Sequence, residues 1–164
     1  MTNLAHMRDL GAQLSVKMVL TPRVIDGGTT TEDGVEVSST AIDRLADTQH
    51  PYQSMVVAVP YSFTAIATNT GSITSNVQHS DNSSAGWEDF DDKDGSTANS
   101  VTLGSTASTA AQTTDSVLKY DVDLSSAKRY VRVQVTPSLS GTSTETDDLD
   151  IAGVVVLGGG NVMP

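Results

Sequence analysis

At 164 residues and with no cysteine, the chain has the material for one two-layer core and excludes a disulfide framework, a thiolate zinc site and a cysteine nucleophile. Ser and Thr make up roughly a quarter of it, while charged residues are 18% and aromatics 4%, a mixture that suits strand faces and loops over a thin aliphatic core rather than helices. A net charge of −11 repels phosphate backbones, which argues against nucleic acid as a partner and favours a positively charged protein surface.

Residues 1–13 show weak periodicity and are expected to form an N-terminal arm; with no apolar h-region there, no signal peptide is expected. Leu14 to Leu20 alternates as a first strand, stopped by Thr21-Pro22. Asp26 to Gly34, with two glycine clusters, reads as a loop, and Ala41 to Leu45 as a short strand. Tyr52 to Val59 and Tyr61 to Ala67 read as two strands, with Pro60 between them marking an edge, a bulge or a corner because proline cannot donate to a ladder. Asn69-Thr70-Gly71-Ser72 reads as a hairpin turn into a strand from Ile73 to His79.

Polar loops are expected over Ser80 to Gly86 and Asp91 to Asn99, flanking Trp87-Glu88-Asp89-Phe90. The low-complexity stretch Thr102 to Thr114 fits either a surface loop or a flat edge strand. Ser116 to Leu124 then places Leu118, Tyr120, Val122 and Leu124 on one face, opposite Val117, Lys119, Asp121 and Asp123. Arg129 to Thr136 sets Val131, Val133 and Val135 against Tyr130, Arg132 and Gln134, a period of two with one wet face. Pro137 to Asp148 reads as a loop, Ile151 to Leu157 as a buried closing strand, and 158–164 as a glycine-rich C-terminal tail. No segment longer than ten residues carries a 3.6-residue period, and the longest apolar run is too short to span a bilayer, so no membrane association is expected. The expectation is an all-β antiparallel sandwich, jelly-roll-like, of about eight strands over 14–157.

No cofactor, metal ion or catalytic group is expected. The acidic run Glu88 to Gly95 contains Asp92-Lys93-Asp94-Gly95, part of an EF-hand pattern, but Phe90 would occupy the first ligand position and Val101 the last. A solvated acidic loop is therefore the reading, with calcium left open only if it met the second run, Glu145, Asp147, Asp148 and Asp150, at one end of the sandwich. His6, His50 and His79 are isolated, and no Gly-x-Ser-x-Gly elbow accompanies them. Leu157 to Asn161 lacks the following helix that a phosphate loop needs. Trp87, the sole tryptophan, is expected to anchor the core or an interface.

Two segments carry a resemblance. Val77-Gln78-His79-Ser80-Asp81 leads through a polar turn to Trp87-Glu88-Asp89, and Asp121 to Lys128 leads into Arg129-Tyr130-Val131-Arg132-Val133. With the closing Val154 to Gly160, this order over about residues 50 to 160 resembles the cement, or decoration, proteins of tailed-phage capsids. The resemblance implies a jelly-roll-like homodimer or homotrimer on the exterior of a virion, made in the host cytoplasm. It further implies that the protein binds an HK97-type major capsid protein without catalysis. Trp87, Tyr130 and Arg132 would then be interface or anchor residues, and the arm and tail would be adhesive extensions. The alternative is a receptor- or carbohydrate-binding β-sandwich of a phage neck, tail or fibre.

Overall fold

The computed structural model describes residues 14–27, 32–46, 51–65, 69–91, 98–103, 112–140 and 147–159. The expected arm, most of the expected tail, His6 and His50 lie outside them. The described residues contain ten strands: β1 (Ser15–Asp26), β2 (Val37–Ser38), β3 (Ile42–Asp43), β4 (Ser54–Ala65), β5 (Gly71–Ser80), β6 (Glu88–Asp89), β7 (Ala98–Leu103), β8 (Gln112–Asp123), β9 (Tyr130–Leu139) and β10 (Asp148–Gly158).

All pairings are antiparallel. One sheet runs β1-β10-β4-β8; the other runs β2-β9-β5-β6, with β3 also on β9 and β7 also on β5. The pairs β1·β10, β2 and β3·β9, β4·β8, and β5·β6 and β7 are nested, as in a chain folded back on itself into one long ribbon. Rolling that ribbon adds β10·β4 and β9·β5. That is the winding of a jelly roll, and the expected fold class holds.

Period-two alternation builds the core. Val57, Val59 and Phe63 from β4, Val155 and Leu157 from β10, and Ile73, Val131 and Val133 from the other sheet are all essentially inaccessible. Tyr120 sits at the sheet-to-sheet boundary, where its hydroxyl bonds Ser75 Oγ at 2.8 Å. Burial pushes this phenol up to about 12, partly offset by the Ser75 bond.

Several local expectations are corrected. Tyr52–Val59 and Tyr61–Ala67 are not two strands: β4 runs unbroken through Pro60 in the middle of its sheet. The β10·β4 pairs skip from Tyr61↔Ile151 to Ala58↔Val154, so the missing proline donor coincides with a gap in the ladder. Likewise β1 continues through Pro22, tolerated because β1 is an edge strand with register shifts at Met18/Leu20 and Leu20/Arg23. The expected hairpin at residues 69–72 is a crossover, since β4 and β5 belong to different sheets. Gly71 is instead the start of β5, where a Cβ would lie 2.9 Å from Leu139 Cδ2 and 3.2 Å from Leu103 Cδ1.

The loop expected over Pro137 to Asp148 begins later, because β9 extends to Leu139. Of the undecided stretch Thr102 to Thr114, both ends are strand, in β7 and β8, and 104–111 lie outside the described residues. Gly158, placed in the tail by the sequence reading, belongs to β10 and pairs with Ser54. No helix among the described residues is long and apolar enough to cross a membrane.

Candidate functional site

The outward side chains of β5 and β9 build one surface. Gln78 pairs with Arg132 across the two strands, and with Asp89 on β6. Arg132 donates from Nε and Nη2 to Gln78 Oε1 at 2.8 and 2.5 Å, and its guanidinium lies 4.6 Å from the centre of the Trp87 ring. Gln78 in turn donates to Asp89 Oδ1 at 2.8 Å, which also accepts from Asn76 at 3.1 Å. Asn76 continues to Gln134 Oε1 at 3.1 Å, and Gln134 donates to Ser38 and Glu36. Although it points outward, Gln134 is thereby only 4% exposed. Each polar group acts as donor or acceptor to the next, which holds the array rigid.

The three residues expected as anchors fall on this surface but not in one contact. Trp87 and Arg132 stack, a cation–π arrangement that half-buries the indole. Tyr130 is two residues from Arg132 on the same side of β9, where it pairs with Ser80 and Asp43 and lies under Arg129 at 5.1 Å. Because Arg132 covers one side of the indole, that side is closed as a sugar-stacking platform.

At the neighbouring corner, Glu88 meets Lys128 and His79 Nε2, the latter at 3.1 Å, and His79 packs on Phe90 with ring centres 5.0 Å apart. The Lys128 bond, ahead of its charge and of His79, holds the Glu88 carboxyl below its ordinary range. A hydrogen bond from Arg129 does the same for Asp43, which accepts from Arg129 Nη2 at 2.8 Å. In the first acidic run, Glu88 is thus taken up by Lys128 and His79, and Asp89 by the amides of Asn76 and Gln78.

The second run lies at the other end of β5. Asp147 is fully buried and accepts from Asn69 Nδ2 at 2.8 Å, while Asp148 is held above its ordinary range by burial and by Asp26, Asp150 and Asp147. The described members of the two runs sit about 30 Å apart along β5 and do not meet. Among the described residues no group of carboxylates and histidines has the arrangement of a metal site.

Sequence reading missed two features. Arg44 is only 3% exposed, and its guanidinium donates to the carbonyls of Tyr52, Leu124, Ala127 and Lys128, clasping the β3–β4 and β8–β9 connections together. An arginine in a short apolar segment was the only available signal. The second feature is an apolar outer side on the four-stranded sheet. Over β1, β10 and β4 run the rows Val16–Val156–Val56 and Met18–Val154–Ala58, which end on Asp121 and Lys119 of β8, with Pro60 paired to Val117 beside them. Val16 is 66% exposed, Met18 61% and Val117 51%.

No protein family model matches the chain, and no curated protein matches it. Solved structures of similar backbone course include the PBSX exported protein XepA, at 17% identity and a TM-score of 0.45, covering 92% of this chain and 39% of that one. A particle of Israeli acute paralysis virus matches at 12% identity and a TM-score of 0.48, covering 100% of this chain and 82% of that one. The Gx strain of infectious bursal disease virus matches at 12% and 0.44, covering 90% and 33%. The chain spans well under half the length of XepA and of the bursal virus protein.

Proposed function

We propose that this chain is a structural virion protein that binds the outer surface of a tailed-phage capsid and cements neighbouring subunits of an HK97-type major capsid protein. One observation carries the reading. The two segments that resemble phage cement proteins are about 40 residues apart in sequence, yet their side chains interlock: Gln78 and Trp87 from the first hold Arg132 from the second. A pattern with such a purpose needs both halves on one surface, and β5 and β9 are adjacent strands of the same sheet.

The physical character of that surface fits the role. It is a rigid, hydrogen-bonded array that presents a half-buried tryptophan and a cation, the residue types that dominate protein interfaces. The net charge of −11 suits a basic partner and disfavours nucleic acid. Binding only the assembled, expanded shell would stabilise that shell by mass action, without any chemical step.

Co-sedimentation with empty expanded shells of an HK97-type capsid protein, from the phage that encodes the chain, tests this. The expected result is saturable pelleting, a higher shell disassembly temperature, and at least tenfold weaker binding of Trp87→Ala. A protein that stays in the supernatant at every ratio overturns the reading, as does a Trp87→Ala variant that binds like the wild type.

A further inference from the structure

Along the outer side of the four-stranded sheet the chemistry changes from one end to the other. On β10 the outward residues are Val156, Val154, Ala152, Asp150 and Asp148 in turn, a span of about 26 Å. Their row partners repeat the change. Val16 with Val56, then Met18 with Ala58, give way to Val24, Ser62 and Asp115, and then to Asp26. At the aliphatic end the border on β8 carries Lys119 and Asp121, whose charges cancel. At the other end Asp26, Asp115, Asp148 and Asp150 share the outer side. Among the described residues of these strands no lysine or arginine joins them there, because Arg23 pairs with Ile151 and so leaves the sheet on the core side.

Between the two ends lies a shallow depression of about 400 Å³, lined by Pro22, Val24, Pro60, Ser62, Asp150 and Ala152. It forms where two ladder irregularities coincide. The β1·β10 pairs pass from Leu20↔Gly153 to Arg23↔Ile151, and the β10·β4 pairs from Tyr61↔Ile151 to Ala58↔Val154, so Ala152 has a partner in neither register. Pro22 and Pro60 flank it from the two neighbouring strands, and their rings bring apolar carbon without an N–H. The volume falls at the small end of ligand pockets, which span about 300 to 1,000 Å³.

We infer that this side of the sheet is a docking site for a protein segment that is aliphatic at one end and cationic at the other, with the stem of a lysine or arginine in the depression and its head at Asp150. Such a side chain buries an apolar stem while keeping its charge at the rim, as an apolar hollow beside a carboxylate requires. Asp150 forms no ion pair among the described residues. The neighbouring carboxylates repel one another: burial, then the charges of Asp26, Asp150 and Asp147, hold the Asp148 carboxyl above its ordinary range. A cation placed among them relieves that repulsion. The same charges exclude a second copy as the occupant, since it would bring a net −11 to an acidic surface. The polarity of the surface also fixes the direction of the segment, with its aliphatic residues over Val154 and Val156 and its cations over Asp150 and Asp148.

The site lies on the sheet opposite Trp87 and Arg132, so it stands or falls apart from shell binding. Exposed carboxylates contribute little each, and a short peptide should bind with a Kd of about 0.1 to 1 mM.

Titration of the isotope-labelled full chain with the peptide acetyl-Val-Leu-Ala-Arg-Ala-Arg-amide, followed by amide NMR, tests the inference. Saturable shifts are expected at Asp150, Ala152 and Gly153, with Gln78 and Arg132 unmoved. A peptide with glutamine in place of both arginines should bind at least fivefold more weakly. Asp150→Lys, and Ala152→Leu, which fills the depression, should each weaken binding at least fivefold, with folding verified by the dispersion of the spectrum. Raising salt from about 20 to about 200 mM should weaken it at least threefold. Absence of saturable shifts at these amides overturns the inference, as do equal shifts at Gln78 and Arg132, equal binding of the glutamine peptide, or both folded variants binding like wild type. In the free protein, shifts of the same amides on dilution would place a second copy there. Nuclear Overhauser contacts from residues 1–13 to Ala152 would place the chain's own arm there, and either result overturns it.

Discussion

On β9 the valines at 131, 133 and 135 point inward, and Tyr130, Arg132 and Gln134 point outward into a connected polar array. On the first half of β1 the order is reversed, with Val16 and Met18 in solvent and Ser15 and Lys17 on the core side. Both strands obey the same period of two. The difference shows that alternation supplies two kinds of side without saying which is inside. That assignment comes from the neighbouring strand: Val155 and Leu157 of β10 set the inner side, and β1 must follow their register.

The consequence is a molecule with two unlike outer surfaces. The six-stranded sheet satisfies its outward polar groups internally and presents a fixed pattern of hydrogen-bonding and aromatic groups. The four-stranded sheet presents aliphatic side chains on β1, β10 and β4, bordered on β8 by Lys119 and Asp121. Rigid polar arrays give specificity, whereas plain apolar area gives affinity with little selectivity. The capsid-binding proposal uses the first of these surfaces.

The largest effect should come from the residue that clasps the β3–β4 and β8–β9 connections together. Arg44→Ala removes hydrogen bonds to four carbonyls at the end of the sandwich, and is expected to cost about 3 kcal/mol. The melting temperature should fall by roughly 10 °C, with shell binding weakened alongside it. A melting temperature within about 2 °C of wild type would show that the clasp is dispensable.

A smaller and more selective effect is expected from Arg132→Ala. Losing the Gln78 bonds and the indole contact should cost about 1 kcal/mol of stability, measured by urea unfolding. Shell binding should drop while sedimentation of the free protein stays as in wild type. Met18→Glu, on the other sheet, should leave shell binding as in wild type. If Met18→Glu impaired shell binding as Arg132→Ala does, the two surfaces would not be independent.

The smallest effect concerns the acidic end of the four-stranded sheet. Burial and the carboxylates of Asp26, Asp150 and Asp147 hold the Asp148 carboxyl above its ordinary range. The folded state therefore binds its proton more readily than the unfolded chain does. Stability associated with this group is present at low pH and lost as pH rises through the raised folded value. Asp148→Asn, which mimics the protonated form, should be slightly more stable than wild type at pH 7, and the difference should shrink as pH is lowered toward the carboxylate range. A variant less stable than wild type at pH 7 would reverse the sign and point to a structural role for the charge.

Much of the fold was legible from residue order. The alternation in Ser116 to Leu124 and Arg129 to Thr136 identified the inner and outer sides of β8 and β9 correctly, because in both strands the apolar set is the buried one. Pro60 was misread since its cost depends on whether a ladder partner awaits its missing donor, and the gap opposite Ala152 and Gly153 removes that demand. The turn before Gly71 was misread because a local signal for reversal cannot distinguish a hairpin from a crossover between sheets. Trp87, Tyr130 and Arg132 could be singled out by type, but the stacking of Trp87 on Arg132 depends on β5 and β9 lying side by side.

By itself the sequence determined the strand-forming character of the chain, its acidity and the aliphatic make-up of its core. These are sums or short-range periods, and they do not depend on which strands become neighbours. Only the tertiary structure decided the rolled order of strands, the burial of Arg44, the separation of the two acidic runs, and the outward turn of Val16 and Met18. Each of these depends on pairings between residues far apart in the chain, whose register is set by the joint packing of two sheets rather than by any segment alone.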